Sequence, residues 1–207
     1  MGVSKEKALE NRQSIVDAAA KLFRQRGVDA VGLVELMKEA GFTAGGFYNH
    51  FKSKQALAQE VVADAVHKAE EQLISDLAKP LEDGDAALLR QMRFYLSPSH
   101  RDNPEHGCAI ASLATDVSRL GVEVQADFAA GMKQNFERFG ALLSALPPVP
   151  PPIEPTPLER GMAYYSQLVG TLILSRAVKD ADPALSEALL AGVRRDMLAM
   201  LAARGSV

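Results

Sequence analysis

The sequence predicts an all-α protein of about nine helices. Three observations support this. The alternation of apolar and polar residues that is typical of strands never persists. Apolar residues instead recur at spacings of three and four, and glycine or proline falls between the periodic segments. Apolar residues make up 47% of the 207 residues and charged residues 24%, which is ordinary for a soluble globular chain with a proper core.

The first two predicted helices are defined by apolar stripes and by glycines at their ends. A long first helix ends at Gly27, which is typical of a C-terminal cap, and a short second helix ends at Gly41. The apolar positions of the first are Ile15, Ala18, Ala19, Leu22 and Phe23, and those of the second are Leu33, Leu36, Met37 and Ala40.

A short third helix is predicted over residues 44–50. Two short helices joined by a three-residue turn are the layout of a helix-turn-helix, whose second short helix lies in the DNA major groove. Gly45 and Gly46 each cost about 1 kcal/mol relative to alanine in a helix, so we interpret them as allowing the backbone to approach DNA closely. A weak helix rescued by packing is the alternative. Phe47 and Phe51, four residues apart, are expected to face the core.

The candidate DNA contacts lie in and beside this third helix. Thr43 is its predicted N-cap, and its hydroxyl can also reach a phosphate. Tyr48 and His50 are candidate donors to phosphates, and Asn49 is a candidate for a base edge. Lys54 lies at a helix N-terminus, which already favours phosphate. An ordinary surface residue is the alternative for each. The full predicted set is Gly32, Thr43, Ala44, Gly45, Gly46, Tyr48, Asn49, His50, Lys52 and Lys54.

The rest of the chain predicts further helices and one stiff connector. Ser53 is the predicted N-cap of a long helix that runs to about Lys79 and stops at Pro80. Residues 97–107 are predicted as a loop. Residues 147–157 contain seven of the eleven prolines, which favours an extended connector. The other predicted helices cover residues 86–96, 108–120, 122–146, 158–180 and 183–204.

The last two predicted helices carry broad apolar faces. Two such helices from each of two subunits can form a four-helix dimer interface, and the alternative is that both complete the core of a monomer. A dimer is favoured because helix-turn-helix proteins read paired half-sites. The predicted interface residues are Met162, Tyr165, Val169, Leu172, Leu189, Val193 and Met197.

Charge and cysteine content narrow the class of protein. Residues 1–60 carry a net charge of +2 and residues 61–207 a net charge of −5, which suits a basic head on an acidic body. A single cysteine, Cys108, excludes an internal disulfide and fits a reducing cytoplasm. We expect no signal peptide and no membrane partner, because no apolar run approaches the length of a bilayer span.

Cys108 and its neighbours admit two interpretations. Cys108 follows Gly107 at a predicted helix start, a position that makes a thiol more reactive. With His100 and His106 nearby in sequence, it is a candidate sensor of oxidants or electrophiles. The alternative is a small buried hydrophobe. The loop residues His100, Asp102, Glu105 and His106 match no metal-ligand spacing, so we predict neither a metal nor a cofactor.

Residues 12–60 resemble the TetR family of bacterial transcriptional repressors. The resemblance lies in IVDAAAKLFRQRGVDAVGL and LMKEAGFTAGGFYNHFKSKQAL. It implies DNA contacts at Thr43, Tyr48 and Lys54. This chain has Gly32 where the family usually has a Ser or Thr cap. Its Gly45-Gly46 pair also leaves fewer side chains to read bases.

The resemblance also implies the organisation of the whole protein. We expect a helix-turn-helix domain at residues 1–52, and a ligand-binding and dimerisation domain at residues 53–207. A homodimer would bind a palindromic operator on double-stranded DNA and be released by a small-molecule effector. For each candidate pocket residue, packing in an ordinary core is the alternative. The candidates are Phe94, Tyr95, Cys108, Leu113, Phe128, Met132, Phe136 and Tyr164.

The sequence therefore predicts a ligand-responsive transcriptional regulator, acting as a repressor and not as an enzyme. The alternatives are a regulator that senses oxidants or electrophiles through Cys108, a DNA-binding protein without an effector, and a helical enzyme. The last is disfavoured because the chain has no phosphate-binding glycine loop, no HExxH motif and no nucleophile elbow.

Overall fold

The computed structural model describes residues 4–78, 84–144 and 155–202. These ranges contain only helices and turns, so the all-α prediction is confirmed. No helix within them has the length and apolar content needed to cross a membrane. The α-helices are α1 (Lys5–Arg26), α2 (Leu33–Glu39), α3 (Lys54–Ala78), α4 (Gly84–Tyr95), α5 (Pro98–Asp102), α6 (Ala109–Val117), α7 (Val122–Ser144), α8 (Pro157–Val178) and α9 (Pro183–Ala202).

The chain divides into two compact units. The first comprises residues 1–69 and 104–128, and the second comprises residues 70–103 and 129–207. The domain boundary predicted at residues 52–53 therefore lies inside the first unit. Of the predicted proline-rich connector, residues 147–154 lie outside the described residues.

The first unit is built on α1. The predicted apolar stripe of α1 is confirmed, since Ile15, Ala19 and Phe23 are fully buried. Gly27 ends the helix with φ of 80°, a left-handed conformation that favours glycine, and its N–H donates to the carbonyl of Phe23 at 2.8 Å. Leu36 and Met37 of α2 are fully buried as well.

The segment after α2 is a 3₁₀ helix, Ala44–Asn49, which we call the reading segment. An α-helix was predicted here, and the difference has a physical reason. Six residues with two glycines have little intrinsic tendency to form an α-helix, and the burial of Phe47 fixes the segment in the conformation observed. The predicted cap of α3 is confirmed, because the hydroxyl of Ser53 accepts the N–H of Ala56 at 3.0 Å.

The second unit contains a short helix that the sequence analysis placed in a loop. Within residues 97–107, α5 forms because Ser97 accepts the N–H of His100 at 3.1 Å and Pro98 occupies the first turn. Arg176 of α8 then donates to the carbonyls of His100 and Arg101, at 2.8 and 3.1 Å. Carbonyls at a helix end that lack internal partners are satisfied in this way.

Small residues allow close packing in the second unit. Ser175 of α8 and Ser186 of α9 are both fully buried, and their hydroxyls lie 2.8 Å apart. Gly161 of α8 packs against α7, where an added Cβ would collide with the carbonyl of Phe136 and lie 2.8 Å from the nitrogen of Gly140. The two helices can therefore cross at this point only without a side chain on Gly161.

We predict that Gly161→Ala destabilises the protein by about 1–3 kcal/mol, the usual effect of forcing an extra carbon into a packed core. Gly170 lies on the same helix, and an added Cβ there has no neighbour within 4 Å. Gly170→Ala should therefore raise stability by up to about 1 kcal/mol through helix propensity alone. Urea unfolding of both variants measures the difference, and equal stabilities would contradict the tight crossing.

Candidate nucleic-acid interface

The reading segment has one buried face and one exposed face. Residues three apart eclipse each other in a 3₁₀ helix, so Gly45 and Tyr48 share one side. Phe47 is fully buried whereas Tyr48 is 69% exposed, and Gly45 and Asn49 are exposed too. The segment is thus anchored by Phe47 and presents Gly45, Tyr48 and Asn49 to solvent.

The anchor is aromatic. The rings of Phe47 and Phe51 stack with centroids 5.7 Å apart, and Phe51 is only 3% exposed, so the prediction that both face the core is confirmed. The Phe47 carbonyl accepts the N–H groups of His50 and Phe51 at 2.9 and 3.0 Å. The half-buried His50 has its ring 6.4 Å from that of Phe42, so it belongs partly to this packing.

The fold gives no reason for glycine at three of the predicted contact positions. A Cβ added at Gly32 or Gly45 would have no neighbour within 4 Å. One added at Gly46 would lie 3.7 Å from Cε of Met37, which is an ordinary contact. The backbone does not require glycine either, since none of the three has a positive φ.

The predicted phosphate partners lie at the two ends of the reading segment. Thr43 occupies the N-cap position, but its hydroxyl makes no capping hydrogen bond. Lys52 is exposed. Lys54 begins α3, and its amine donates to the carbonyl of Asp29 at 3.2 Å, which ties the start of α3 to the turn between α1 and α2. Ala44 is half-buried.

Two ion pairs fasten α2 to α1. Lys21 lies 2.6 Å from Glu39, and Arg26 lies 2.7 Å from Glu35. The hydrogen bond to Lys21 lowers the pKa of the Glu39 carboxyl, and the same bond raises the pKa of Lys21. Exposed pairs of this kind stabilise little, but two of them at different turns restrict the angle between the helices.

Arg12 holds the reading segment through contacts that no sequence pattern predicted. Its guanidinium donates to the carbonyl of His50 and to the carboxylate of Glu60, and its Cζ lies 4.0 Å from the centroid of the Phe51 ring. Arg12 and His50 are 38 positions apart, so no local pattern in the sequence indicates this contact.

A second residue that no sequence pattern predicted is Asp116, a buried carboxylate on α6. Asp116 is 6% exposed and accepts the N–H of Val28 at 3.1 Å, across 88 positions. Arg24 donates to the carbonyl of Glu105 at 3.0 Å, and Gln55 donates to that of Leu120 at 3.0 Å. These three bonds fasten residues 105–120 to α1, to the turn after it and to α3.

Cys108 lies at the N-cap position of α6 and is half-buried. Arg24 of α1 is close enough for the two groups to influence each other electrostatically. Burial lowers the pKa of the Arg24 guanidinium, and Cys108 and Asp64 oppose that shift. Nε of Arg24 is buried without a hydrogen-bond partner among the described residues. A cationic group with an N–H that has no hydrogen-bond partner among the described residues therefore lies within electrostatic range of the thiol.

The two histidines near Cys108 in the sequence differ in their exposure to solvent. His106 is exposed, whereas His100 belongs to the second unit and is 4% exposed. Nδ1 of His100 lies 2.9 Å from the carbonyl of Tyr95, and burial lowers the pKa of the His100 imidazole. Within the described part of the chain, no three His, Cys, Asp or Glu side chains are grouped so as to hold a metal ion.

The predicted pocket residues divide between the two units. Cys108, Leu113 and Phe128 belong to the first unit, where Leu113 and Phe128 are buried. The second unit contains the other five, of which Tyr95 and Tyr164 are buried, Met132 and Phe136 are half-buried, and Phe94 is 58% exposed. Burial raises the pKa of Tyr164, whose hydroxyl donates to the carbonyl of Leu88 at 3.4 Å.

The predicted dimer residues separate into core and surface. Tyr165, Leu172 and Met197 are buried within the chain itself, with exposures of 6%, 0% and 0%. The second unit already uses their surface in its own core. Of the four other predicted residues, Met162 is 39% exposed, and Val169, Leu189 and Val193 are half-buried.

Comparison with known sequences identifies the N-terminal region. Residues 15–61 match the family described as bacterial regulatory proteins, tetR family. The HTH-type transcriptional regulator AcrR of Shigella flexneri is 47% identical over 58 residues, which is 28% of this chain. The match covers 27% of the length of AcrR, so this chain matches less than a third of that relative.

Solved structures resemble the chain over nearly its whole length. A TetR-family regulator from Agrobacterium tumefaciens has a TM-score of 0.75 at 18% identity, over 93% of this chain and 98% of that one. The reduced form of E. coli NemR has a TM-score of 0.70 at 21% identity, over 90% and 96%. At these identities the likeness establishes the fold.

Proposed function

Because this chain belongs to the TetR family of bacterial regulatory proteins, we propose that it is a cytoplasmic repressor. It binds a palindromic operator on double-stranded DNA as a homodimer. A small-molecule effector releases it.

The observation that carries the proposal is that the exposed face of the reading segment contains a glycine that the fold itself does not require. Gly45 lowers helix stability by about 1 kcal/mol relative to alanine, yet nothing in the fold needs the space that its missing side chain leaves. A DNA groove does need that space, since a backbone without a Cβ can approach base edges closely. Tyr48 and Asn49 beside it supply hydrogen-bonding groups for phosphates and bases.

Dimerisation through α8 and α9 is supported by the apolar surface of these helices. Leu174 and Leu185 are 57% and 47% exposed, and they add to the four predicted interface residues that are not buried. Two heads are needed because each reads one half-site, and half-sites lie about 34–36 Å apart or at multiples of that distance.

The effector that we propose is apolar or aromatic. The second unit contains an aromatic cluster in which the ring of Phe136 lies 5.8 Å from that of Tyr165, and the ring of Phe139 lies 5.2 Å from that of Tyr164. Pockets for small molecules are lined mainly by such side chains, with few polar groups.

A second candidate signal is an electrophile that reacts with Cys108. The observation that favours it is that the cation of Arg24 lies within electrostatic range of the half-buried Cys108, and the thiolate form of a cysteine is its nucleophile. The thiolate would add to the β-carbon of an α,β-unsaturated carbonyl compound. A sulfur–carbon bond forms, the π electrons move to the carbonyl oxygen, and water protonates the enolate at the α-carbon. The adduct then lies against α1 of the head.

The DNA role is tested on the duplex that the protein enriches from a random pool, which we call the selected duplex. Lys54→Ala should weaken binding and reduce the slope of log K against log salt by about 0.9 per subunit, the value for one lost phosphate contact. Tyr48→Phe should weaken binding roughly tenfold through the loss of one hydrogen bond. The slope should stay unchanged, because the hydroxyl that is removed carries no charge.

Lys133→Ala is the charge-matched control. Lys133 is an exposed lysine on α7, and its removal should change neither affinity nor slope. Wild-type affinity and slope in both head variants would remove Tyr48 and Lys54 from the interface. Failure of the wild type to enrich any duplex would contradict the proposed function as a whole.

Gly45→Ala should change stability and DNA binding in opposite directions. The variant is expected to gain up to about 1 kcal/mol of stability from helix propensity, because its Cβ meets nothing in the protein. Its affinity for the selected duplex should fall, since the same Cβ occupies the space left for DNA. Thermal unfolding and fluorescence anisotropy measure the two effects.

Gly192→Ala on α9 is the matched control, as an added Cβ there is also without a neighbour within 4 Å. It should raise stability and leave DNA affinity unchanged. A Gly45→Ala variant that binds DNA as well as the wild type would show that DNA does not approach this position.

For the second candidate signal, N-ethylmaleimide should add once to the wild type and lower its affinity for the selected duplex. Cys108→Ser should bind the duplex normally and keep that affinity after treatment, and intact-mass measurement counts the adducts. If the wild type is modified at Cys108 and still binds DNA fully, the cysteine has no part in regulation.

A further inference from the structure

We infer that Arg12 is a positioning residue for DNA reading: it holds the C-terminal end of the reading segment in the orientation that the operator requires. This inference rests on the proposed DNA-binding function. It adds a residue of α1 that makes no DNA contact itself but decides how Tyr48 and Asn49 meet the groove.

The reading segment needs such a support at its C-terminal end. The carbonyl of Phe47 accepts the N–H groups of His50 and Phe51, but no further helical turn follows to satisfy the later carbonyls. The two glycines also give the backbone more freedom than other residues would. The buried Phe47 side chain anchors the middle of the segment. A single anchor fixes the position of the reading segment, but the segment can still rotate about Phe47 unless a second contact restricts it.

Arg12 supplies the second point. Its guanidinium donates to the carbonyl of His50, the residue that caps the segment. A cation at the carbonyl end of a helix is also favoured by the helix dipole. The same guanidinium donates to the carboxylate of Glu60 on α3, so one side chain joins α1, the end of the reading segment and α3.

The third contact connects Arg12 to the aromatic anchor. The guanidinium lies over the face of Phe51 at 4.0 Å from its centroid, a favourable cation–π arrangement, and Phe51 stacks on Phe47. A planar group with several fixed donors can make all three contacts together, whereas the ammonium of lysine cannot.

These contacts distinguish Arg12 from the lysines that we assign to phosphates. The side chain of Arg12 is 35% exposed and is paired with Glu60, so its charge is balanced within the head. Lys52, in contrast, is exposed at the end of the reading segment. Removing Arg12 should therefore reduce discrimination between DNA sequences more than it reduces attraction to the DNA backbone.

The experiment compares the selected duplex with a scrambled duplex of the same length and composition. Binding of wild type, Arg12→Lys, Arg12→Ala and Glu60→Gln is measured by anisotropy over a range of salt concentrations. The temperature is one at which circular dichroism shows that each variant is folded. Lys133→Ala again controls for the loss of one positive charge.

Arg12→Ala should lose about tenfold or more in affinity for the selected duplex, as expected for lost charged hydrogen bonds. It should bind the scrambled duplex within about twofold of wild type, with the same salt slope. Arg12→Lys and Glu60→Gln, which each retain some of the contacts, should lie in between. If Arg12→Ala does not fold, the comparison of the two duplexes is made with Arg12→Lys and Glu60→Gln instead.

Two results would overturn the inference. A shallower salt slope on the scrambled duplex, by about 0.9 per subunit, would make Arg12 a phosphate contact. An unchanged ratio of the two affinities in the folded variants would make it a stabilising residue without a role in reading. Both results require a wild type that discriminates, so they differ from failure of the proposed function, in which the wild type enriches no duplex.

Discussion

The structure of the head depends on the burial of Phe47. The reading segment has six residues and two glycines, too few and too flexible to hold a helix in water. Its conformation therefore comes from packing: the ring of Phe47 is fully buried, and the opposite side of the segment consequently faces solvent. The exposure of Tyr48 and Asn49 follows from that single burial.

Packing around this anchor limits how the segment can turn. Phe51 stacks on Phe47, Arg12 covers Phe51, and Lys54 ties the beginning of α3 to the turn after α1. Each contact is weak or moderate when taken alone. Together they connect α1, the reading segment and α3 through different atoms. The reading segment is therefore restricted from rotating about Phe47.

The first unit extends beyond the three-helix head. Asp116 lies in α6 but accepts the N–H of Val28, which follows α1. A buried N–H without an acceptor is unfavourable by about 1–3 kcal/mol, so the turn between α1 and α2 depends on a residue 88 positions away. Cys108 at the start of α6 and Arg24 of α1 belong to the same junction.

Much of the fold could be predicted from local patterns. The stripe of α1, the end of that helix at Gly27 and the cap at Ser53 each follow from residues within a few positions of one another, and all three are confirmed. The outer helices follow from the same periodicity. Where the predicted end of a helix lies within the described residues, it differs from the observed end by up to three residues. The ends predicted at residues 79, 146 and 204 lie outside the described residues.

The amino-acid sequence by itself determined which segments are helical, where they are capped and that a helix-turn-helix head begins the chain, because these properties depend on neighbouring residues. Only the tertiary structure decided that the reading segment is a 3₁₀ helix, that residues 98–102 form α5, and that Tyr165, Leu172 and Met197 lie in the core. It alone brought Arg12 to His50 and Asp116 to Val28. Those outcomes depend on partners far away in the chain, and their pairing is set by how the helices pack.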